Sequence, residues 1–569
     1  MYESLQDQSE MRSDSIESRK LTVFQKFQTI LVLNKIYPLK GEFANIVTLI
    51  LSTIGIFVGA RVIFGDIADV GGTIFSLLIL ILFAIIGGKC VQLLSWMIKK
   101  MSNCCKDINL PPVLGMLIVG ILLKNIPYNV GQFGRGDCIN DDNETVFIDT
   151  INDRDLPKNY SEDCYSQYIA HDLDPIISSK LRTLCLTVII LMSGLEVDPM
   201  ALWKLGGMIL RATFIPFTVE VVAVAILSNF LLEFPWTIGF VMGIVVAAAS
   251  LAVIVPCLMI FSSQGYGVKK GIPTLVISTG SLQNVLSISA FGILFGITIG
   301  TGKELWELSL KAVIEIFYGL VFGAFWGLVA QWIPNTEHPQ VGFFRWLVLF
   351  NGGLIAMFGS KLLNLSGAIA TLTMAVTAGM KWRNDDSDGH ISVSITFRRM
   401  WIILEPILFA LIGTELQIDK LEPEELGLEI LILIVALVLR IIANYVAVFG
   451  GDLDNKERIF KSVALIPKGT IQAALGPMFL DNVRDRDDSF WILLSTKQNA
   501  TNFDHLDIKE KWEEWGKEIL TLAVLSILIT APLGAILITS LGPNLLEIDD
   551  DFPKRFEDNN KKVESFSKQ

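Results

Sequence analysis

Fourteen stretches of this chain are apolar over close to twenty residues, and nothing else in the sequence constrains its architecture as much. About 20 mostly apolar residues in a helix cross the roughly 30 Å hydrocarbon core of a bilayer. No water is available there to satisfy a peptide group, so each crossing segment must close its hydrogen bonds internally. The runs lie at 44–64, 72–97, 111–127, 179–197, 206–232, 235–262, 271–300, 307–331, 342–363, 365–380, 397–416, 427–450, 458–480 and 516–541, the third and tenth being short. They predict an all-α polytopic membrane protein of about 14 transmembrane helices. The transmembrane domain is expected over 44–541, between an N-terminal tail at 1–43 and a C-terminal tail at 542–569. No apolar signal stretch precedes residue 44, so the N-terminal tail reads as cytosolic.

Composition excludes the main alternatives. Hydrophobic residues make up 52% of the chain and charged residues 18%, against about 25% charged in soluble domains. A net charge of −12 provides no basic face for nucleic acid. No nucleophile–base constellation or phosphate loop points to an enzyme, and no cysteine spacing resembles a metal site; no cofactor is implied. Orientation follows from the basic residues. With an even number of spans both termini are cytosolic, and Lys99, Lys100, Lys269, Lys270, Lys381, Arg383, Arg398 and Arg399 all fall in inside loops. The 52-residue loop 127–178 and the loop 481–515 then lie outside. They carry the glycosylation sequons at Asn143, Asn159 and Asn499, and the first carries Cys138 and Cys164, a candidate disulfide in an oxidising compartment. The plasma membrane is the expected location, an organelle the alternative.

Two runs look interrupted. The sixth contains Val246-Ala247-Ala248-Ala249-Ser250-Leu251 and then Pro256; the thirteenth contains Leu465-Ile466-Pro467-Lys468-Gly469-Thr470 and then Pro477. Seven spans separate them, so they cross in opposite directions, as the halves of an inverted repeat do, and broken helices at matched positions are where transporters place their sites. Between them the seventh run carries two adjacent amides, Gln283 and Asn284, flanked by Ser278, Thr279, Ser281, Ser287 and Ser289. Ionisable residues inside spans are costly and mark function or a partner. Glu220, Glu405, Arg440 and Lys468 are of this kind; Glu220 with Arg440 reads as a structural ion pair, and Lys468 sits at a break. Lys89, Arg182, Arg211 and Arg345 read as snorkelling residues near helix ends.

Four segments carry a family resemblance: Pro111-Pro112-Val113-Leu114-Gly115-Met116-Leu117, the stretch Gly265 to Thr274, Pro406-Ile407-Leu408-Phe409-Ala410-Leu411-Ile412-Gly413-Thr414-Glu415, and Leu465 to Ala474. Over residues 110–540 the chain resembles the animal sodium/hydrogen antiporters of the NHA type, in the cation:proton antiporter-2 superfamily. The resemblance implies two crossed discontinuous helices beside the ion site, a homodimer, and alternating access; it matches Glu220 and Arg440 to the family's buried ion pair and Lys468 to its second crossing helix. Two departures stand out. The family's paired aspartates fall at Gln283 and Asn284, and a proline expected after Ser250 is Leu251.

Amides do not titrate, so Gln283 and Asn284 cannot alternate between a proton and a cation as a carboxylate does. The first expectation remains a secondary active antiporter of monovalent cations and protons, with Glu405 as the substitute acid and Gln283, Asn284, Ser250 and Lys468 at the site. The alternatives are proton-coupled or channel-like movement of an anion such as chloride, because Lys468 would dominate a site without acids, and a non-transporting dimer partner of active relatives. The partners implied are small inorganic ions, protons and the lipid bilayer.

Overall fold

The computed structural model describes residues 41–548 apart from connecting stretches, the longest of which are 66–72, 102–109, 126–137, 147–173, 333–339 and 492–504. The Cys138–Cys164 pairing, the sequons at Asn143, Asn159 and Asn499 and most of both tails lie outside the described residues. The chain divides into two units at Leu78/Ile79. The first holds α1 (Gly41–Phe64) and the opening residues of α2 (Thr73–Met101), with Phe57 edge-on to Phe75 at 5.3 Å. Leu51, Ile54 and Val62 on α1 are exposed, as apolar residues are when the solvent is lipid.

The second unit carries the rest. The described elements are α3 (Pro112–Asn125), a two-stranded hairpin of β1 (Cys138–Ile139) and β2 (Thr145–Val146), α4 (Pro175–Glu196), α5 (Pro199–Leu231), α6 (Trp236–Ala247), α7 (Leu251–Ser263), α8 (Ile272–Ile299) and α9 (Leu305–Trp332). Then follow α10 (Val341–Phe358), the single turn α11 (Ser360–Leu363), α12 (Gly367–Asn384), α13 (Gly389–Gly413), α14 (Pro423–Ala447), α15 (Asn455–Ala464), α16 (Thr470–Arg484) and α17 (His505–Leu545). The antiparallel hairpin pairs Cys138 with Val146 and Ile139 with Thr145.

Each of the fourteen apolar runs is a helix or a broken pair of helices. Among the described residues nine of these segments, counting α6 and α7 as one, are long and apolar enough to cross a membrane, and α1 and α3 contain shorter apolar stretches. The remaining three, α12, α13 and the α15/α16 pair, fall short of that length or apolar composition. The sixth and thirteenth runs are interrupted as expected, at 248–250 and 465–469. Two of the arginines read as snorkelling are not: Arg345 is fully buried against the Trp382 ring, 5.2 Å from its centroid, and Arg182 is buried in ion pairs. Sequence position near a run's end does not reveal that a neighbouring helix covers it.

Helices in lipid gain little from burying apolar surface and associate through close packing of small residues. The α9/α12 pair shows this. Gly319, Gly323 and Gly327 recur every fourth residue on α9, and a Cβ on Gly319 would come 2.8 Å from the Ser366 carbonyl oxygen, while one on Gly327 would come 2.7 Å from Thr377 Cβ. A Cβ on Gly323 would collide with the Ala370 carbonyl. At the connection between α7 and α8, Gly267 N–H donates to the Glu547 carbonyl at 2.8 Å, so residues expected to start the C-terminal tail are docked. Lys270 Nζ bridges Asp454 (2.8 Å) and Glu457 (2.9 Å), and its hydrogen bond holds the Asp454 carboxyl below the usual range.

Replacing Gly323 by Leu should force α9 off α12 and destabilise the helix pair by about 1–3 kcal/mol, the range for overpacking. A fall of several degrees in the thermal unfolding midpoint of the detergent-purified protein would register it; an unchanged midpoint would show that the contact is slack.

Candidate functional site

The site is built where the two interruptions meet. α6 stops at Ala247 because Ala248 turns to extended backbone (φ −66°, ψ 153°), and α7 resumes at Leu251. α15 stops at Ala464, and α16 begins after Gly469. The breaks bond to each other, Ser250 N–H donating to the Pro467 carbonyl at 2.8 Å. A Cβ on Gly534 of α17 would strike the Pro467 ring, so only glycine lets the second break seat there.

Breaking a helix in the membrane frees peptide groups that lipid cannot satisfy, and amide side chains take them up. Gln472 Oε1 accepts from Gly469 N–H (2.7 Å) while its Nε2 donates to the carbonyls of Val246 (3.1 Å) and Ala248 (2.8 Å). Asn284 Oδ1 accepts from Ala249 N–H at 3.1 Å, and Ser287 donates to the Ile244 carbonyl at 2.8 Å. Lys468 N–H donates to Thr530 Oγ1 at 2.8 Å.

Charges occupy the centre. Glu220, from α5, receives Lys468 Nζ on Oε1 at 2.8 Å and Arg440 Nη1 on Oε2. Arg440, from α14, also donates to the freed Ala247 carbonyl at 2.6 Å and, through Nη2, to Gln283 Oε1 at 2.7 Å. Glu220, Gln283, Arg440 and Lys468 show 0% exposure, and Asn284 2%; the cluster is buried. Lys461 completes it from α15, donating to Asn444 Oδ1 at 2.8 Å, while Asn444 donates to the Arg440 carbonyl at 3.1 Å. The buried hydroxyls of Thr213, Ser250 and Thr279 and the Arg440 Nε have no hydrogen-bond partner.

Thus six of the expected site residues, Ser250, Gln283, Asn284, Lys468, Glu220 and Arg440, converge on one place. Glu405 does not join them: it is half-buried on α13 and accepts a hydrogen bond from Trp401, one turn away. Sequence reasoning passed over Lys461, Asn444 and Thr530. Lys461 was visible as a lysine seven residues before Lys468, two turns along the same run.

The surroundings are asymmetric. A cavity of about 390 Å³, lined by Ser95, Pro112, Ala252, Val253, Pro256 and Cys257, reaches the first turn of α7 beside the break. At other helix ends Arg182 of α4 is clamped by Asp481 of α16 (2.6 Å) and by Glu415 just beyond α13 (2.9 Å), and Glu415 also accepts from Arg484 at 3.2 Å. These ion pairs tie three helices together.

Chemically, the contact between Glu220 and Lys468 joins a carboxylate oxygen to the one base touching it that can lose a proton, since a guanidinium stays charged. Gln283 and Asn284 act as acceptors for Arg440 and for the first break.

Comparison with known proteins gives the arrangement its lineage. Residues 93–500 match the family model "Sodium/hydrogen exchanger, transmembrane". Mouse sodium/hydrogen exchanger 9B2 is 34% identical over 479 residues, 84% of this chain and 74% of that protein. Human sodium/hydrogen exchanger 9B1 is 31% identical over 511 residues, 90% of this chain and 85% of that one. The sodium proton antiporter MjNhaP1 of Methanocaldococcus jannaschii shares the fold at TM-score 0.54 and 14% identity, over 81% of this chain and 98% of its own. The chain belongs to the sodium/hydrogen exchanger family.

Proposed function

We propose that this protein is a secondary active transporter that exchanges a monovalent cation for a proton at the Glu220–Lys468 contact. The observation that carries the reading is that contact itself: 2.8 Å, with both groups wholly buried beside two interrupted helices. When Lys468 gives up its ammonium proton, Oε1 of Glu220 loses the positive charge opposite it and becomes a ligand for a dehydrated cation. The unpartnered Ser250 and Thr279 hydroxyls supply further oxygen on the same elements. One positive charge leaves and one arrives, so the buried cluster keeps its charge through the cycle. Adding a further charge in low dielectric would be costly, and an exchange of one positive charge for another avoids it. The relatives' names, sodium/hydrogen exchangers, point to sodium as the first ion to try.

Alternating access fits the asymmetry around the site. The cavity at the start of α7 gives a route from the side that the basic loops make cytosolic, while the Arg182 ion pairs close the opposite side and would have to part for the site to open there. A homodimer in the plasma membrane, with both termini cytosolic, completes the proposal.

Anion movement is the second reading, and one observation favours it: three buried bases, Arg440, Lys461 and Lys468, against the single acid Glu220. Replacing chloride by gluconate in proteoliposomes holding only this chain separates the readings. Sodium-driven proton flux that survives the replacement supports exchange, flux that follows chloride supports the anion, and no flux of either kind makes the chain a non-transporting partner.

In the same vesicles Lys468→Arg should cut exchange at least about tenfold, because arginine keeps the charge and never yields the proton. Glu405→Gln should leave the pH-dependent flux in place; its loss would restore Glu405 as the working acid. Replacing Asn284 by Asp preserves the acceptor for Ala249 N–H and adds an anion, and the half-saturating sodium concentration should fall. Asn284→Leu instead orphans that buried N–H at a cost of about 1–3 kcal/mol, to be read as a lower unfolding midpoint.

A further inference from the structure

Four glutamates face one another where α14 and α17 pack together, remote in sequence from the crossing. Glu425 and Glu429 stand one turn apart on α14, and Glu514 and Glu518 one turn apart on α17. One carboxylate oxygen from each of Glu425, Glu514 and Glu518 lies within 4.8 Å of the other two. Glu429 is 2% exposed, its charge interacts with those of Glu518 and Glu425, and its Oε2 has no hydrogen-bond partner; Glu518 Oε2 is likewise buried and unpartnered.

Like charges gathered at this spacing repel, and a buried carboxylate oxygen without a donor loses its hydration for nothing. The two unpartnered oxygens suit a positive group between the helices. Oxygens that all lie within 4.8 Å of one another can reach a single calcium ion, whose ligands sit about 2.3–2.6 Å from it. An all-carboxylate oxygen set selects hard cations and disfavours zinc or copper, which take nitrogen and sulfur. Glu514 is exposed and gives a hydrated ion its approach, while Glu429 lies one turn deeper.

We propose that Glu425, Glu514 and Glu518, backed by Glu429, form a calcium-class divalent cation site that pins α14 to α17. Both helices lead onward to the crossing, α14 to Arg440 and α17 to Thr530, so an ion here would stiffen the two elements that hold the Arg440 guanidinium against Glu220 and the Lys468 backbone. The site makes no use of the exchange chemistry and stands whether or not that reading holds.

Terbium is the probe, because Trp512 and Trp515 on α17 can sensitise its luminescence. The purified full-length chain in nanodiscs should give a tryptophan-sensitised terbium signal that calcium displaces, and calcium should raise the unfolding midpoint. Glu518→Gln and Glu429→Gln should weaken terbium binding about tenfold or more, in line with losses of metal-supporting groups, while Asp452→Asn, an exposed acid elsewhere, leaves it unchanged. The glutamine variants relieve repulsion, so they should fold, and a monodisperse elution profile checks this. A signal that none of the glutamine changes affects, or no signal at all, overturns the proposal. So does a chain that calcium leaves unmoved and that Glu429→Gln with Glu518→Gln makes more stable, because the cluster then holds protons.

Discussion

Peptide groups freed inside a membrane must find partners within the protein, and the site is organised around that demand. Two interruptions expose carbonyls and N–H groups of α6, α7 and α16 at a depth where neither water nor lipid can serve them. Gln472 spans both breaks, donating to Val246 and Ala248 and accepting from Gly469, and the Ser250–Pro467 bond ties one break to the other. Arg440 covers the Ala247 carbonyl, the open C-terminal end of α6, where a positive charge also meets the negative end of the helix dipole. The arginine is therefore part of the backbone accounting as well as of the charge accounting. That double duty fixes where Glu220 must sit.

With Arg440 committed in this way, the remaining degrees of freedom are few. Its guanidinium donates to Ala247, Glu220 and Gln283 through two nitrogens, and the third, Nε, is without a partner. Glu220 has one oxygen on Arg440 and the other on Lys468, so a change at Lys468 is felt at a single oxygen atom. Such a site can respond to one proton without rearranging the helices that hold it, and access to it can be governed elsewhere, at the Arg182 ion pairs.

Most of the fold was legible because hydrocarbon imposes a length and a composition on every crossing segment, and each of the fourteen runs became helix. The breaks were legible for different reasons: the proline–lysine–glycine step at 467–469 is poor helix, whereas the alanines at 247–249 favour helix and Pro256 lies inside α7, so the first break showed only through its matched position seven spans away. The partners of the charges were less so. Glu220 and Arg440 lie 220 residues apart and Arg182 and Asp481 299 residues apart, and no periodicity connects them. Arg345 and Arg182 read as snorkelling because a run's edge shows how far a residue is from its neighbours in sequence and nothing of the helix packed over it. Glu405 looked like a site residue for the same reason in reverse: an acid inside an apolar run signals a special environment, and its environment is a tryptophan of its own helix, not the crossing.

The amide at position 283 has a consequence for charge that its lack of a proton alone does not convey. Gln283 supplies an acceptor to Arg440 without supplying a charge, so the guanidinium is opposed by Glu220 alone, and Glu220 is opposed by both Arg440 and Lys468. Loss of the lysine proton then leaves Glu220 and Arg440 as a balanced pair with one oxygen exposed to an incoming cation. A carboxylate in place of Gln283 would bind Arg440 from the other side, shift the balance by one unit, and make the ammonium form of Lys468 the balanced state of the set formed by Glu220, Arg440, Lys468 and position 283, Lys461 standing apart on Asn444. In the proposed cycle the neutral amide is thus what lets a lysine, rather than an aspartate, carry the exchangeable proton, and it does so while keeping the hydrogen bond that holds Arg440 against the end of α6.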